Sequence, residues 1–171
     1  MKGLIAFAGA SGTAAVLAAA ALIPAGTAWA SPGGDHAAGN ACSVAGSLSS
    51  PQGVSYAPTD GTYDVKGVLD CTSEEFSHGV LTGKGKGLLG CFGGFSEAVY
   101  RIEWSNGKVS EIVMKSGDFT YGTGSYGTVT KGALTGSHVG MAWGRYAAGA
   151  EYKCAQDAVH SGQFAGGIGI H

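Results

Sequence analysis

The sequence predicts an all-β domain, an antiparallel β-barrel or β-sandwich of about eight to ten short strands. Short segments alternate apolar and polar residues with a period of two, and Gly, Asn or Ser interrupts them about every ten residues. No segment has a helical period of useful length. Four cysteines, Cys42, Cys71, Cys91 and Cys154, are enough for two disulfides that would staple such a sheet.

The first thirty residues have the features of a secretory signal peptide. Lys2 precedes an Ala- and Leu-rich run, Pro24 interrupts the run, and a small-x-small triplet ends at Ala30. The apolar run is about 10 residues long, which is shorter than the roughly 20 residues that a membrane-spanning helix needs. We therefore expect cleavage after Ala30, secretion to the extracellular space, and no membrane span in the mature chain.

The mature chain is predicted to contain one flexible segment and one domain. Residues 31–41 are small and polar and offer no anchoring side chain, so we expect a flexible arm. Residues 42–171 are long enough to bury a core of their own and are predicted to form a single β domain.

The first two strand segments determine which cysteines pair. If 42–50 and 63–71 form an antiparallel pair with Cys42 opposite Cys71, apolar residues face apolar residues throughout. The further pairs in this register are Val44 with Leu69, Gly46 with Gly67, and Leu48 with Val65. We predict a Cys42–Cys71 disulfide, which leaves Cys91–Cys154 as the second.

The remaining strand segments follow one another closely, which favours a meander closed into a barrel or folded into a sandwich. The predicted strands lie near 42–49, 61–71, 79–89, 97–105, 108–115, 117–122, 127–136, 138–146, 150–154 and 161–170. Residues 147–159 are the best candidate for one or two helical turns. Lys84 and Lys86 share one face of their strand, and we interpret them as protection of an edge strand rather than as an anion site.

Asn106-Gly107 is the strongest hairpin signal in the chain. A two-residue turn would place Glu111 on the apolar face that contains Trp104. A three-residue loop with a glycine bulge would place Ile112 there instead. We favour the second register, because an unpaired carboxylate in an apolar layer costs several kcal/mol. In the first register, Glu111 would lie in the apolar layer and would be the acid of greatest functional interest in the chain.

A Gly-x-apolar-x-Gly pattern recurs four times, with one copy a residue longer. The copies are Gly79–Gly83, Gly117–Gly122, Gly132–Gly136 and Gly162–Gly166. Because side chains alternate faces along a strand, the glycines and the central apolar residue share one face. The pattern predicts bent, closely packed strands.

Charge and motifs exclude several classes of function. The chain has 10 Lys and Arg against 12 Asp and Glu with no basic block, which excludes nucleic acid as a partner. It has no Cys-x-x-Cys or His-x-x-x-His spacing for a metal. Two Gly-x-Gly-x-x-Gly matches, at 85–90 and 122–127, do not open a helix in a βαβ unit. We therefore predict no catalytic residue, no metal ligand and no cofactor.

Aromatic residues concentrate in the second half of the chain and supply the candidate binding residues. Exposed Tyr and Trp suit a protein or carbohydrate partner. We select Tyr126, Trp143 and Tyr146 as binding candidates and add Glu111, whose face depends on the hairpin register.

From Cys42 to Ile170 the pattern resembles a family of small, mostly uncharacterised secreted two-disulfide β proteins of actinobacteria. The shared marks are an early Cys before Val44-x-Gly46, Gly67-x-x-x-Cys71, Gly79-x-x-x-Gly83 before Cys91, a Trp104-Ser-x-Gly107 hairpin, and Cys154 before a glycine-rich strand. The resemblance implies export, disulfides and a β fold. It implies no activity and no site residues.

The expected function is that of a secreted, non-catalytic interaction module: an inhibitor, an adaptor subunit or a surface-associated protein. One alternative is a carrier of a small apolar ligand inside a barrel, and another is an extracellular hydrolase without a recognisable motif. A cavity lined by Tyr100, Ile102, Trp104, Met141 or Trp143 would favour the carrier. A filled interior with exposed aromatic residues would favour the interaction module.

Overall fold

A computed structural model describes residues 39–91, 94–116, 123–146, 154 and 157–171. These residues form eight strands, which we number in chain order. Their bounds are β1 Asn40–Val54, β2 Thr59–Cys71, β3 His78–Leu89, β4 Gly94–Trp104, β5 Val109–Ser116, β6 Thr123–Gly132, β7 His138–Tyr146 and β8 Val159–Ile170. The described residues include no helix with the length and apolar character that a membrane crossing requires.

The eight strands close into an antiparallel barrel, which confirms the predicted fold class. Each strand pairs with the next along the chain, and β8 pairs with β1 to complete the ring. A closed barrel has no sheet edge. The interpretation of Lys84 and Lys86 as edge protection is therefore wrong, since β3 is hydrogen-bonded to β2 on one side and to β4 on the other.

The predicted register of the first strand pair and both predicted disulfides are confirmed. Cys42 lies opposite Cys71 and is bonded to it, and the second disulfide joins Cys91 to Cys154. β1 starts at Asn40, inside the segment that was assigned to the arm. The buried Asn40 side chain donates a hydrogen bond to the Phe76 carbonyl at 3.2 Å and accepts one from the Ser73 amide at 3.0 Å. These two bonds explain why the strand begins there.

The favoured register of the β4–β5 hairpin is also confirmed. Ile112 lies opposite Tyr100, and Gly107 has the positive φ of 80° that the three-residue loop needs. Glu111 consequently lies opposite Arg101 on the outer face of the barrel. The Glu111 carboxylate therefore avoids the cost of burying an unpaired charge in the core.

The glycine pattern forms strands in two of its copies and a turn in a third. In β3 and β8 the central residues, Leu81 and Phe164, are buried in the core. The copy at Gly132–Gly136 is a turn between β6 and β7, so the predicted strand 127–136 ends at Gly132. Leu134 there has a φ of 63°, and both flanking glycines also have positive φ, which a continuous strand does not allow.

Three further predictions lie outside the described residues. They are the Gly117–Gly122 copy of the pattern, the short strand at 150–154 apart from Cys154, which is helical, and the helical turns within 147–159 apart from Cys154 and residues 157–159.

The barrel end at which β1 begins is capped by residues 72–77. The Phe76 ring packs edge-on against Trp104 with the centroids 5.2 Å apart. Trp104 Nε1 donates to Ser110 Oγ at 2.9 Å, and that hydroxyl donates to the Ala133 carbonyl at 2.6 Å. At the other end, the Cys91–Cys154 disulfide lies against the Val54 carbonyl oxygen, with the two sulfur atoms 3.4 and 3.5 Å from it.

Candidate functional site

Two tyrosine rings pack against the inner wall of the barrel because two glycines on β3 make room for them. Gly83 lies opposite Tyr100 on β4, and Gly85 lies opposite Tyr63 on β2. A Cβ atom at either glycine would overlap the ring of the facing tyrosine. Glycine lets an aromatic ring lie flat against the neighbouring backbone. The two rings therefore pack inside the barrel directly on the β3 backbone.

The Tyr63 hydroxyl is hydrogen-bonded inside the core to Tyr100 and to a serine. Tyr63 Oη lies 2.9 Å from Ser96 Oγ, and both residues are buried. Burial, together with the adjacent Tyr63, raises the pKa of Tyr100 well above its ordinary value. Tyr100 is therefore a neutral packing group and is not poised to act as a base near neutral pH.

The cavity beside these rings has a volume of about 10 Å³, and its lining residues are aliphatic or aromatic. It is lined by Leu48, Val65, Leu81, Tyr100, Met141 and Phe164. A space of this size holds about one water molecule. Around this part of the barrel axis the described side chains thus fill the interior.

The outer wall of β2 to β6 carries charged side chains in cross-strand ion pairs. Lys84 Nζ lies 3.7 Å from Asp64, Lys115 Nζ lies 3.2 Å from Glu97, and Lys131 Nζ lies 3.0 Å from Glu111. Exposed pairs of this kind contribute about 0–1 kcal/mol each to stability. Their main effect is to give this wall a fixed charge pattern.

Between these charges lies a group of exposed apolar side chains, which we call the outer-wall patch. It consists of Leu88, Phe95, Val99, Val113 and Tyr126. Val99 lies directly opposite Val113, and Leu88 lies directly opposite Phe95. The Glu97–Lys115 ion pair lies between these two apolar pairs, on the same face of β4 and β5. The patch therefore combines apolar area with the Glu97–Lys115 charge pair, and Lys86 on β3 lies opposite Glu97.

The exposed fractions of the patch residues are large for apolar side chains. They are 63% for Phe95, 54% for Val99, 41% for Val113 and 68% for Tyr126. Tyr126 lies opposite Lys115 and diagonal to Val113, within reach of a long aromatic side chain on the same face. Contiguous exposed apolar area rimmed by polar residues marks interaction sites.

The structure places two of the four predicted binding residues on this wall. Tyr126 belongs to the patch, and Glu111 lies on β5 next to it, with Val113 and Lys115 on the same face. Trp143 and Tyr146 lie in β7, but their side chains are outside the described residues.

Sequence reasoning missed Phe95, Val99 and Val113, although a signal was present. In β4 the outward positions alternate with the buried ones, and Phe95 and Val99 share the outward face with Glu97, Arg101 and Glu103. Apolar residues on an otherwise charged strand face are the mark of a site there.

The described residues contain no cluster of three or more His, Cys, Asp or Glu side chains that could enclose a metal ion. The chain matches no protein-family model, no curated protein and no solved structure. The geometry of the wall is therefore the basis for the functional argument.

Proposed function

We propose that this protein is a secreted, non-catalytic interaction module that binds a protein partner through the outer-wall patch. The observation that carries the proposal is the contrast between the two faces of the sheet. The cavity beside Tyr100 measures about 10 Å³, whereas Phe95 and Tyr126 on the outside are each more than three-fifths exposed. Recognition is therefore assigned to the wall.

A protein partner fits this surface better than a small molecule does. Small-ligand sites are concave and bury most of the ligand, whereas the outer wall of a closed barrel is convex. Protein interfaces are enriched in aromatic residues and also include complementary charged groups. The partner is expected to present an apolar surface with groups that complement Glu97 and Lys115.

Carriage of a small apolar ligand has less support. Pockets for such ligands measure about 300–1,000 Å³. The described cavity beside Tyr100 is far smaller, and Tyr63 and Tyr100 next to it are packed against glycine backbone and hydrogen-bonded in the core.

Secretion belongs to the same proposal. The amino-terminal sequence has the features of a signal peptide. Two disulfides are consistent with an extracellular protein, because disulfides persist in oxidising compartments. Membership of the actinobacterial family that the sequence resembles would agree with export.

Affinity capture with matched variants tests the proposal. The disulfide-bonded protein is immobilised, exposed to the extracellular milieu of its source, and the retained proteins and small molecules are identified by mass spectrometry. The patch variant carries Val99→Thr and Val113→Thr, a cross-strand valine pair within the patch. Its control carries Val68→Thr and Val80→Thr, a cross-strand valine pair outside the patch with exposed fractions of 60% and 51%.

We expect the wild type and the control to retain the same protein and the patch variant to lose it. The control preserves the number and type of threonine replacements on the outer wall, so general loss of apolar surface cannot explain the difference. Recovery of a small molecule without any protein would favour the carrier instead. Equal retention by the patch variant and the control would exclude the patch as the binding surface.

A further inference from the structure

Two histidines that are far apart in the sequence face each other across β7 and β8. The His138 amide donates to the His171 carbonyl at 2.7 Å, and the His171 amide donates to the His138 carbonyl at 3.0 Å. This mutual exchange defines a directly opposed antiparallel pair, whose side chains lie on the same face of the sheet.

The pair lies on the outer face. The adjacent residues, Val139 and Ile170, are opposite each other and buried in the core. Because consecutive side chains point to opposite faces, His138 and His171 project outward, and both are exposed.

Along β7 and β8, the outward positions next to the two histidines are glycines, whereas Thr128 on β6 lies opposite His138. Gly140 and Gly169 are the next outward positions along the two strands, and they are also paired. A Cβ placed at Gly140 would meet nothing within 4 Å, and at Gly169 it would meet only His171 Nδ1 at 3.9 Å. The His171 ring thus leans along β8 over Gly169. Neither glycine contributes a side chain that would obstruct the rings from turning toward each other.

We propose that His138 and His171 form a two-imidazole binding site for a divalent transition-metal ion. The Cβ atoms of directly opposed residues are about 4.5–5.5 Å apart, and metal–imidazole bonds are about 2.0–2.1 Å long. Two rings on such a pair can converge on one ion. Imidazole suits Zn²⁺, Ni²⁺ and Cu²⁺, and the Irving–Williams order makes Cu²⁺ the tightest of the three.

The site is open, and the nearest residue of the outer-wall patch is Tyr126, which lies opposite Gly140 across β6 and β7. The described residues offer no cluster of three potential ligands, so two imidazoles bind the ion and water takes the other positions. The other described histidines have different partners. His78 Nε2 lies 3.4 Å from Asp70, and His160 Nδ1 lies 3.1 Å from the Pro51 carbonyl oxygen.

Paramagnetic broadening by Cu²⁺ in ¹H–¹⁵N NMR spectra of the oxidised protein locates the site. At substoichiometric Cu²⁺ we expect the amide signals of Gly140 and Gly169 to broaden first. His138→Gln and His171→Gln should each abolish this and weaken Cu²⁺ binding at least about tenfold, since loss of even an outer-shell partner costs 10–100-fold. His78→Gln is the matched control and should keep the wild-type pattern.

Electron paramagnetic resonance of the wild type with one equivalent of Cu²⁺ gives a readout that needs no variant. We expect coupling to two imidazole nitrogens. Coupling to a single nitrogen would overturn the proposal. Broadening at Gly140 and Gly169 that survives either substitution, or that His78→Gln removes equally, would also overturn it. Spectra recorded without metal confirm that each variant remains folded.

Discussion

At the scale of single residues, two glycines on β3 determine how the tyrosine rings pack inside the barrel. Gly83 and Gly85 are inward positions at which most residue types would add a side chain to the core. Because they add none, the rings of Tyr100 and Tyr63 lie against the β3 backbone inside the barrel. The sequence shows the glycines and the tyrosines plainly, but only the strand register shows that they face each other.

Gly83→Ala is expected to destabilise the protein by about 1–3 kcal/mol, the usual cost of overpacking a filled core. The added methyl group would overlap the Tyr100 ring. Urea unfolding followed by tryptophan fluorescence measures the change. Gly140→Ala is the control, since its methyl group meets nothing within 4 Å, and we expect it to be neutral or stabilising by up to about 1 kcal/mol. Equal effects of the two substitutions would mean that the tyrosine packing is not tight.

At the scale of elements, the sequence predicted best where local pattern and pairing agreed. Apolar alternation with opposed cysteines predicted the β1–β2 register. The Asn106-Gly107 turn, together with the cost of burying the Glu111 carboxylate, predicted the β4–β5 register. The strand predicted at Gly132–Gly136 was wrong, because the same spacing of glycines is compatible with both a strand face and a turn.

The candidate sites depend on pairings that no local pattern contains. Val99 and Val113 meet through the hairpin register, so the outer-wall patch was in part predictable from it. His138 and His171 are joined only by the pairing of β7 with β8. Metal-ligand spacing in the sequence therefore could not reveal them.

The two disulfides differ in the length of chain that each closes, and their removal should differ accordingly. The loops span 29 residues for Cys42–Cys71 and 63 residues for Cys91–Cys154. Loop-closure entropy predicts stabilisation of about 3.6 and 4.3 kcal/mol. We expect Cys91→Ser/Cys154→Ser to lower the free energy of unfolding more than Cys42→Ser/Cys71→Ser, measured by urea titration. The reverse order would show that the β1–β2 bond contributes more than chain entropy.

At the scale of the whole molecule, the pairing of β8 with β1 joins the two ends of the domain. Every described strand is hydrogen-bonded on both sides, so no strand is an edge where a defect would be tolerated. The core is shared by residues from all eight strands, among them Val44, Leu81, Ile112 and Ile168. Loss of one pairing should therefore weaken the entire barrel.

Ala165→Pro tests this closure. Ala165 lies at the middle of β8, opposite Ala45 of β1 and Gly144 of β7. Proline there removes a ladder donor and is tolerated only on edge strands. We expect the free energy of unfolding to fall by about 3 kcal/mol or more.

Ala165→Thr is the control. It keeps the amide and favours strands, so its free energy of unfolding should stay within about 0.5 kcal/mol of the wild type. Fluorescence and far-ultraviolet circular dichroism should give coincident unfolding transitions, because the closed barrel unfolds as one unit. A proline variant as stable as the threonine variant would mean that β8 does not close the barrel.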